Sequence, residues 1–188
     1  MMIDQQQAQE ALENLADPQL KPSEYEFARA AILCSGFAGV TLGVAESITG
    51  GLVTQLLTSI PGASSVLRGG VVAYATELKI ELLGVSASLI ERGGAVQADV
   101  ALEMARGAAR VLKSDIGLGV TGVAGPSEQD GAAVGTVHIA VVDTRSKASR
   151  VHSLKFEGSR DDIRVQAATA LLGMLLDAVV SGSDLVRP

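Results

Sequence analysis

The chain has 188 residues and a formal net charge of −6, with 47% hydrophobic but only 3% aromatic residues. This length is typical of one domain, whose core must be built from Ala, Val, Leu and Ile. The only cysteine is Cys34, which excludes an intrachain disulfide, and the lack of a basic stripe or of stacking aromatics argues against nucleic-acid binding.

The charge is unevenly distributed. Residues 1–27 hold six acidic residues and one basic residue, whereas the rest of the chain holds 15 acidic and 14 basic residues. The start M-M-I-D-Q-Q-Q is not typical of a secretory signal, and no apolar run approaches the ~20 residues of a membrane helix. We therefore expect a cytoplasmic protein that binds no membrane. Its expected parts are an acidic extension (1–22), a domain (23–182) and a tail (183–188).

The first half of the chain alternates helices and strands. In chain order, the predicted elements are helices over 5–15 and 24–35, a strand over 40–45, a helix over 52–60 and a strand over 69–74. Pro18 and Pro22 interrupt the chain after the first helix, and Ser23 with Glu26 fits a capping box that opens the second.

The second half ends in consecutive strands. In chain order, the predicted elements are helices over 86–92 and 99–113, strands over 115–120, 134–142 and 150–156, and a helix over 160–180. Between 99 and 113 the polar residues recur at steps of three and four, which is typical of an amphipathic helix. The two late strands predict a hairpin. The chain as a whole therefore predicts an α/β fold with a mixed sheet.

A candidate site lies at residues 45–51, A-E-S-I-T-G-G, where a strand passes into a helix. Free amides in the first turn of a helix are able to hold a phosphate or stabilise an oxyanion. Gly50 and Gly51 permit close approach, so Ser47 is a candidate nucleophile. The alternative is that Ser47 or Thr49 only caps the helix, and the pattern alone favours that alternative.

A serine nucleophile needs a base, and Lys79 is the candidate. His138 and His152 lie in apolar alternating runs without a motif, which is typical of structural or surface positions, and with one cysteine they make no metal set. A buried lysine serves as a base if its pKa falls from about 10.4 to about 7, which requires roughly 4–5 kcal/mol. Lys79 follows Tyr74 after an apolar strand; the alternative is a solvated helix residue.

Two glycine-rich segments overlap after residue 116. G-L-G-V-T-G (117–122) matches the dinucleotide pattern G-x-G-x-x-G, but Pro126 and further glycines follow it, so no helix starts there and a dinucleotide-binding fold is disfavoured. T-G-V-A-G-P (121–126) is either a turn whose amides cradle an anion or a tight structural turn.

Seven motifs occur in a fixed order: A-E-S-I-T-G-G, P-G-A-S-S, G-G-V-V-A-Y-A-T-E-L-K, L-L-G-V, G-A-V, T-G-V-A-G-P and V-G-T-V. In this order the chain resembles the C-terminal domain family of the competence-damage protein CinA, over about residues 28–180. The resemblance implies a three-layer α/β/α sandwich with a mixed sheet and no required metal or cofactor. It also implies hydrolysis of the carboxamide of nicotinamide mononucleotide (NMN) to the acid and ammonia, within pyridine-nucleotide recycling, and a homodimer or larger assembly.

The resemblance places the family's catalytic serine, tyrosine and lysine on Ser47, Tyr74 and Lys79. The expected substrate-binding residues are Glu46, Thr49, Gly50, Gly51, Thr76, Thr121, Gly122, Gly125 and Arg164. In the expected mechanism, neutral Lys79 takes the proton of Ser47 directly or through Tyr74, and amides at the helix start hold the oxyanion.

The segment 127–133 departs from the family pattern. Ser127-Glu128 stands where a glycine pair is common, and Ala132-Ala133 stands where Lys-Pro is common. Arg160 and Arg164 are then candidates to supply positive charge, and the alternative is a surface ion pair with Asp161 or Asp162. The altered segment also favours a second function, a non-catalytic nucleotide-sensing or partner-binding module. A third is amide or lactam hydrolysis of another small substrate.

Overall fold

The computed structural model describes residues 3–17, 19 and 21–186, so the predicted interruption at Pro18 lies outside the described residues. In chain order, the elements are α1 (Gln5–Ala16), α2 (Glu24–Phe37), β1 (Leu42–Glu46), α3 (Leu52–Thr58), a 3₁₀ turn (Ala63–Ser65), β2 (Leu67–Val72), α4 (Thr76–Glu81), α5 (Ala87–Gly93), α6 (Ala98–Leu112), β3 (Ile116–Gly122), β4 (Thr136–Asp143), β5 (Ser149–Lys155) and α7 (Arg160–Val180). Each predicted helix and strand is present within about three residues, whereas α4 and the 3₁₀ turn were not predicted.

The five strands form one mixed sheet in the order β2-β1-β3-β4-β5. Strand β1 is parallel to both β2 and β3, while β3, β4 and β5 follow one another antiparallel. The predicted hairpin of the last two strands is therefore confirmed. Parallel neighbours bring the carboxyl ends of β1, β2 and β3 to one edge of the sheet, where ligand sites of α/β proteins are usually found.

Helices cover both faces of the sheet. On one face, α2, α3 and α7 pack on a core that includes Val44, Leu118 and Ile139. On the other face, α6 packs on the sheet, and the partly buried side chains of α4 and α5 join the same cluster. The alternation of apolar residues along β4, with Ile139 to one side and Ala140 to the other, fits this arrangement. The expected three-layer α/β/α sandwich with a mixed sheet is confirmed.

Helix α6 lies unusually close to β3 because two glycines face it. A Cβ atom added at Gly117 would overlap the carbonyl oxygen of Ala105, and one added at Gly119 would overlap that of Ala101. The sequence G-L-G in β3 and the small residues of α6 therefore set the separation of these two layers. This contact matters for the site because the segment that leads into α6 lines it.

Helix α1 and the segment that follows α7 pack near each other. Helix α1 buries Ala8, Ala11 and Leu12, and its packing partner is α2. Gln9 exchanges two hydrogen bonds with the backbone of Val186, at 3.0 and 3.2 Å. The capping box that opens α2 is confirmed, since Glu26 Oε2 accepts from the Ser23 N–H at 2.6 Å. Segments predicted as an extension and a tail thus contact each other and the domain.

One described helix, α7, is long and apolar enough to cross a membrane by length and composition alone. More than half of that stretch, 56%, is buried inside the domain. Leu171, Leu172 and Leu175 are fully buried against α2 and the sheet. This burial is typical of a core helix.

Candidate active site

Ser47 directly follows β1 at the carboxyl edge of the sheet. Its N–H donates to Val120 O at 3.0 Å, which extends the pairing of β1 with β3. On the other side, Ala73 N–H donates to Glu46 O at 2.9 Å, which extends the pairing with β2. Ser47 therefore sits between the ends of two neighbouring strands. Its side chain is mostly buried, with 9% of the residue exposed.

Glu46 is fully buried and caps α3. Its carboxylate accepts from the N–H groups of Gly51, Val53 and Thr54 at 2.8–3.1 Å, and from the Thr54 hydroxyl at 2.6 Å. A carboxylate at the start of a helix is favourable because the free amides there carry partial positive charge. The helix-start amides that the sequence offers to an oxyanion are thus already occupied.

The turn between Ser47 and α3 is built on two glycines. Gly50 and Gly51 have φ values of 61° and 100°, and Gly51 is the N-cap residue, so neither Ser47 nor Thr49 caps the helix. Within the described part of the chain, the N–H groups of Ile48 and Thr49 have no hydrogen-bond acceptor. Of these two residues, Ile48 lines the cavity next to Ser47, whereas Thr49 is fully buried, so the Ile48 N–H is the amide available to a ligand beside Ser47.

Lys79 lies on α4 and is 1% exposed, so the alternative of a solvated lysine is excluded. Its Nζ donates to Ala73 O at 2.7 Å and to Tyr74 O at 3.4 Å. Burial lowers the pKa of the Lys79 amine from 10.5 to about 8, although the negative charges of Glu77 and Asp130 act in the opposite direction. About a tenth of this amine is therefore neutral at pH 7.

The amine of Lys79 is anchored beside the strand end that carries Ser47. Ala73, which accepts its shorter hydrogen bond, is paired with Glu46 across the sheet. A neutral amine has two N–H groups and one lone pair, so two carbonyl acceptors leave the lone pair unengaged. Ser47 Oγ makes no hydrogen bond to any residue that the structure describes, so its hydroxyl is also unengaged.

A cavity of about 290 Å³ opens next to Ser47. Residues 121–129 form one wall, Ala95 and Val96 form another, and Tyr74 and Arg160 complete the lining. Of the predicted site residues, the cavity brings together Ser47, Tyr74, Thr121, Gly122 and Gly125. The other predicted site residues do not line it: Glu46, Thr49, Gly50, Gly51, Thr76, Lys79 and Arg164.

Arg160 supplies the positive charge of the cavity. Its guanidinium donates to the Tyr74 hydroxyl at 2.8 Å and to Gly125 O. Tyr74 is 60% exposed, so the pair stands at the mouth of the cavity. Glu128 is the acidic residue of the lining. An anionic group of a ligand would meet Arg160 there.

Arg164 and Thr76 lie elsewhere. Arg164 donates to Thr49 O at 2.8 Å and forms an ion pair with Asp161 at 3.2 Å. This ion pair is the alternative that the sequence offered for this arginine. Thr76 opens α4. The Thr49 hydroxyl is buried and finds no partner among the residues described.

The histidines are away from the cavity lining. His138 Nδ1 is 2.9 Å from Ser153 Oγ on the neighbouring strand, and burial lowers the pKa of His138. Over residues 3–17, 19 and 21–186, no group of three His, Cys, Asp or Glu side chains is placed to hold a metal ion.

The fold and the site together define an α/β sandwich with a serine and a buried lysine at the carboxyl edge of its parallel strands. The family described as "CinA C-terminal domain" matches residues 28–179 of the chain. The chain therefore belongs to this family.

Comparison with known proteins agrees with this membership. The chain is 50% identical, over 135 residues, to a CinA-like protein of Geobacter sulfurreducens, which covers 71% of this chain and 32% of that protein. It is 45% identical over 147 residues to a CinA-like protein of Frankia casuarinae, covering 78% and 31%. The chain thus spans about a third of the length of these curated relatives.

Solved structures of the family share the fold along nearly their whole length. The crystal structure of the competence/damage inducible protein CihA from Agrobacterium tumefaciens has a TM-score of 0.78 and 34% identity, covering 85% of this chain and 98% of that chain. The competence or damage-inducible protein from Enterobacter asburiae has a TM-score of 0.80 and 28% identity, covering 85% and 99%.

Proposed function

We propose that this protein hydrolyses the carboxamide of NMN to nicotinate mononucleotide and ammonia, with Ser47 as nucleophile and Lys79 as base. The activity is the one that the resemblance to the family implies. The observation that carries it is the amine of Lys79, which is buried, lowered in pKa to about 8 and anchored on the strand end next to Ser47. A lysine in such surroundings is suited to deprotonate a hydroxyl.

The proposed reaction begins with proton transfer. The lone pair of neutral Lys79 takes the proton of Ser47 Oγ as Oγ bonds to the carboxamide carbon, and the C=O electron pair moves onto its oxygen. The N–H group of Ile48 then stabilises that oxyanion, since the amide that follows the nucleophile is in the usual position for this role. When the intermediate collapses, Lys79 gives its proton to the nitrogen as the C–N bond breaks, and ammonia leaves.

Water completes the cycle. Lys79, neutral again, deprotonates a water molecule as its oxygen bonds to the acyl carbon on Ser47. The C–Oγ bond then breaks, Lys79 returns the proton to Oγ, and the nucleotide acid is released. We propose direct proton transfer because the Tyr74 hydroxyl is bonded to Arg160, while only the Tyr74 carbonyl meets Lys79. Tyr74 is then a substrate-contacting residue at the cavity mouth.

Binding of the nucleotide is assigned to the same cavity. Arg160 is exposed enough to exchange its bonds with Tyr74 and Gly125 for bonds to the phosphate, and a guanidinium matches phosphate geometry well. Thr121 and Gly122 line the cavity next to Ser47 and are proposed to contact the ligand. The sequence offers Arg160 and Arg164 equally as the source of positive charge for the phosphate, and we assign this role to Arg160.

The test is ammonia release from NMN by the purified protein. We expect Ser47→Ala to lower the rate at least about 10³-fold while NMN still binds in calorimetry. Ser65→Ala, on the 3₁₀ turn, is the matched control and is expected to keep full activity. Undiminished turnover by Ser47→Ala would contradict the proposal. Binding without turnover by the unaltered protein would favour the non-catalytic module, and a panel of carboxamides would reveal another amide substrate.

We further propose a cytoplasmic location and a homodimer or larger assembly. Strand β2 is an edge strand, and Val72 and Leu82 nearby in the chain are 43% and 45% exposed. Exposed apolar residues and an unpaired strand edge are features that a second copy would cover. Light scattering measures the mass, and a monomer at high concentration would contradict the proposed assembly.

A further inference from the structure

The segment that departs from the family pattern forms a small hairpin. Gln129 and Ala132 exchange two backbone hydrogen bonds, at 3.1 and 2.8 Å. Between them, Asp130 and Gly131 both have positive φ, 51° and 76°. Two such residues in a two-residue connection define a type I′ turn, and Asp-Gly is a favoured pair for it. The turn fixes Asp130 at the tip of the loop that follows the cavity wall.

Asp130 connects this loop to the opposite wall of the cavity. Its Oδ2 accepts from the Ala95 N–H at 3.1 Å, and Ala95 O accepts from the Thr121 hydroxyl at 2.9 Å. Ala95 is therefore held on both sides, by the loop through Asp130 and by β3 through Thr121. Both Ala95 and Thr121 line the cavity. Loss of the Asp130 bond would release the loop from Ala95, which would remain bonded to Thr121.

Asp130 also acts on the proposed base. The negative charges of two carboxylates raise the pKa of the Lys79 amine: that of Glu77, on α4 itself, and that of Asp130, on the loop. Both favour the protonated amine. This is the form that Lys79 takes after it has removed the proton of Ser47 in the proposed reaction. A negative charge at Asp130 would thus stabilise the ammonium that forms as the hydroxyl is attacked.

We propose that Asp130 is a positioning residue of this site, which fastens the 125–132 loop across the cavity at Ala95 and places a negative charge where it acts on the Lys79 amine. The inference rests on the proposed function for its catalytic meaning. The bond and the charge are nevertheless properties of the protein without substrate, so each is measurable without turnover.

Three substitutions separate the bond from the charge. Asp130→Asn keeps a carbonyl oxygen for the Ala95 N–H but removes the charge. Asp130→Ala removes both. Glu77→Gln removes the other charge that acts on Lys79 and leaves the loop untouched, which makes it the matched control. Because Asp130 is exposed at a hairpin tip and Glu77 is exposed on α4, all three variants are expected to fold, and circular dichroism verifies this.

The first readout is the pKa of Lys79, which is measured in the ligand-free protein from the ¹³Cε chemical shift as a function of pH. We expect Asp130→Asn and Glu77→Gln each to lower this pKa by about 0.5 from its value of about 8. The Asp130 effect should shrink in about 1 M salt because an exposed charge is screened. A Lys79 pKa unchanged by Asp130→Asn would overturn the electrostatic half of the inference.

The second readout is hydrogen exchange of the Ala95 amide. Asp130→Ala is expected to speed its exchange at least about 5-fold and to raise the KM for NMN about 5- to 10-fold, whereas Asp130→Asn and Glu77→Gln leave both nearly unchanged. Unaltered Ala95 exchange in Asp130→Ala would overturn the positioning role. If NMN is not turned over at all, the proposed function fails while the exchange and pKa measurements still decide this inference.

Discussion

The pKa of Lys79 gives the proposed mechanism a quantitative pH dependence. With a pKa of about 8, roughly a tenth of the amine is neutral at pH 7, half at pH 8 and nine-tenths at pH 9. A lysine at its ordinary 10.5 would be neutral in only about 0.03% of molecules at pH 7. Burial therefore raises the population of the reactive form roughly 300-fold at neutral pH. We expect kcat/KM to rise about five-fold from pH 7 to pH 8, about two-fold more to pH 9, and then to level off.

The assay measures initial rates of nicotinate mononucleotide formation by chromatography between about pH 6 and pH 10, because this readout needs no pH-sensitive coupling enzyme. Lys79→Met is the control, expected to be folded and inactive at every pH. A profile that is flat from pH 7 to pH 9, or one with an apparent pKa above about 9.5, would refute the assignment of Lys79 as a base lowered by burial.

The lowered pKa of Lys79 also makes the stability of the fold depend on pH. Between about pH 8 and pH 10.5 the unfolded chain binds the Lys79 proton and the folded chain does not, so the contribution of this residue to stability rises with pH in that window. Below pH 8 the buried ammonium costs about 3 kcal/mol relative to an unshifted lysine. The role proposed for Lys79 is thus opposed to stability, a trade-off that is common at active sites.

Two further predictions concern the frame of the site. Glu46→Gln is expected to lower the free energy of unfolding by about 2 kcal/mol in urea titrations, because an amide nitrogen would face the N–H donors of α3; unchanged stability would contradict the role of Glu46 as a charged cap. Leu12→Ala is expected to lower it by about 2–3 kcal/mol because it empties the contact of α1 with α2, with the KM for NMN unchanged; a changed KM would show that α1 affects the cavity.

The order of helices and strands was predictable from the sequence because their apolar periods are long enough to count. The consecutive strands β4 and β5 predict a hairpin, and an antiparallel pair beside parallel strands makes the sheet mixed. Helix α4 was missed because six residues, T-E-L-K-I-E, are too short for a helical period to be recognised. Yet α4 is the element that carries Lys79 into the interior.

The site was harder to predict because the burial and the direction of its side chains depend on distant parts of the chain. Glu77 and Glu81 stand two residues on either side of Lys79 in the sequence, and only the fold shows that the Lys79 amine bonds to the carbonyls of Ala73 and Tyr74. Glu46 is next to the nucleophile in sequence, but its carboxylate turns toward the start of α3.

Arg160 and Arg164 are one helical turn apart at the head of α7, so sequence spacing does not distinguish them. The course of residues 121–129 decides that Arg160, which bonds to Gly125 O, is the one that lines the cavity. The sequence indicates only that Asp130 and Gly131 form a tight turn. It does not indicate that Asp130 bonds to Ala95.

The glycines of β3 connect the interior of the domain with the width of the cavity. Since Gly117 and Gly119 let the backbone of α6 rest directly on the strand, no side chain cushions a change of spacing between the two. Ala95, one of the cavity walls, comes only three residues before α6 begins. A side chain at either glycine would overlap the α6 backbone, so we expect it to push α6 away from β3 and to displace Ala95 with it. The width of the cavity would then depend on two residues that do not line it.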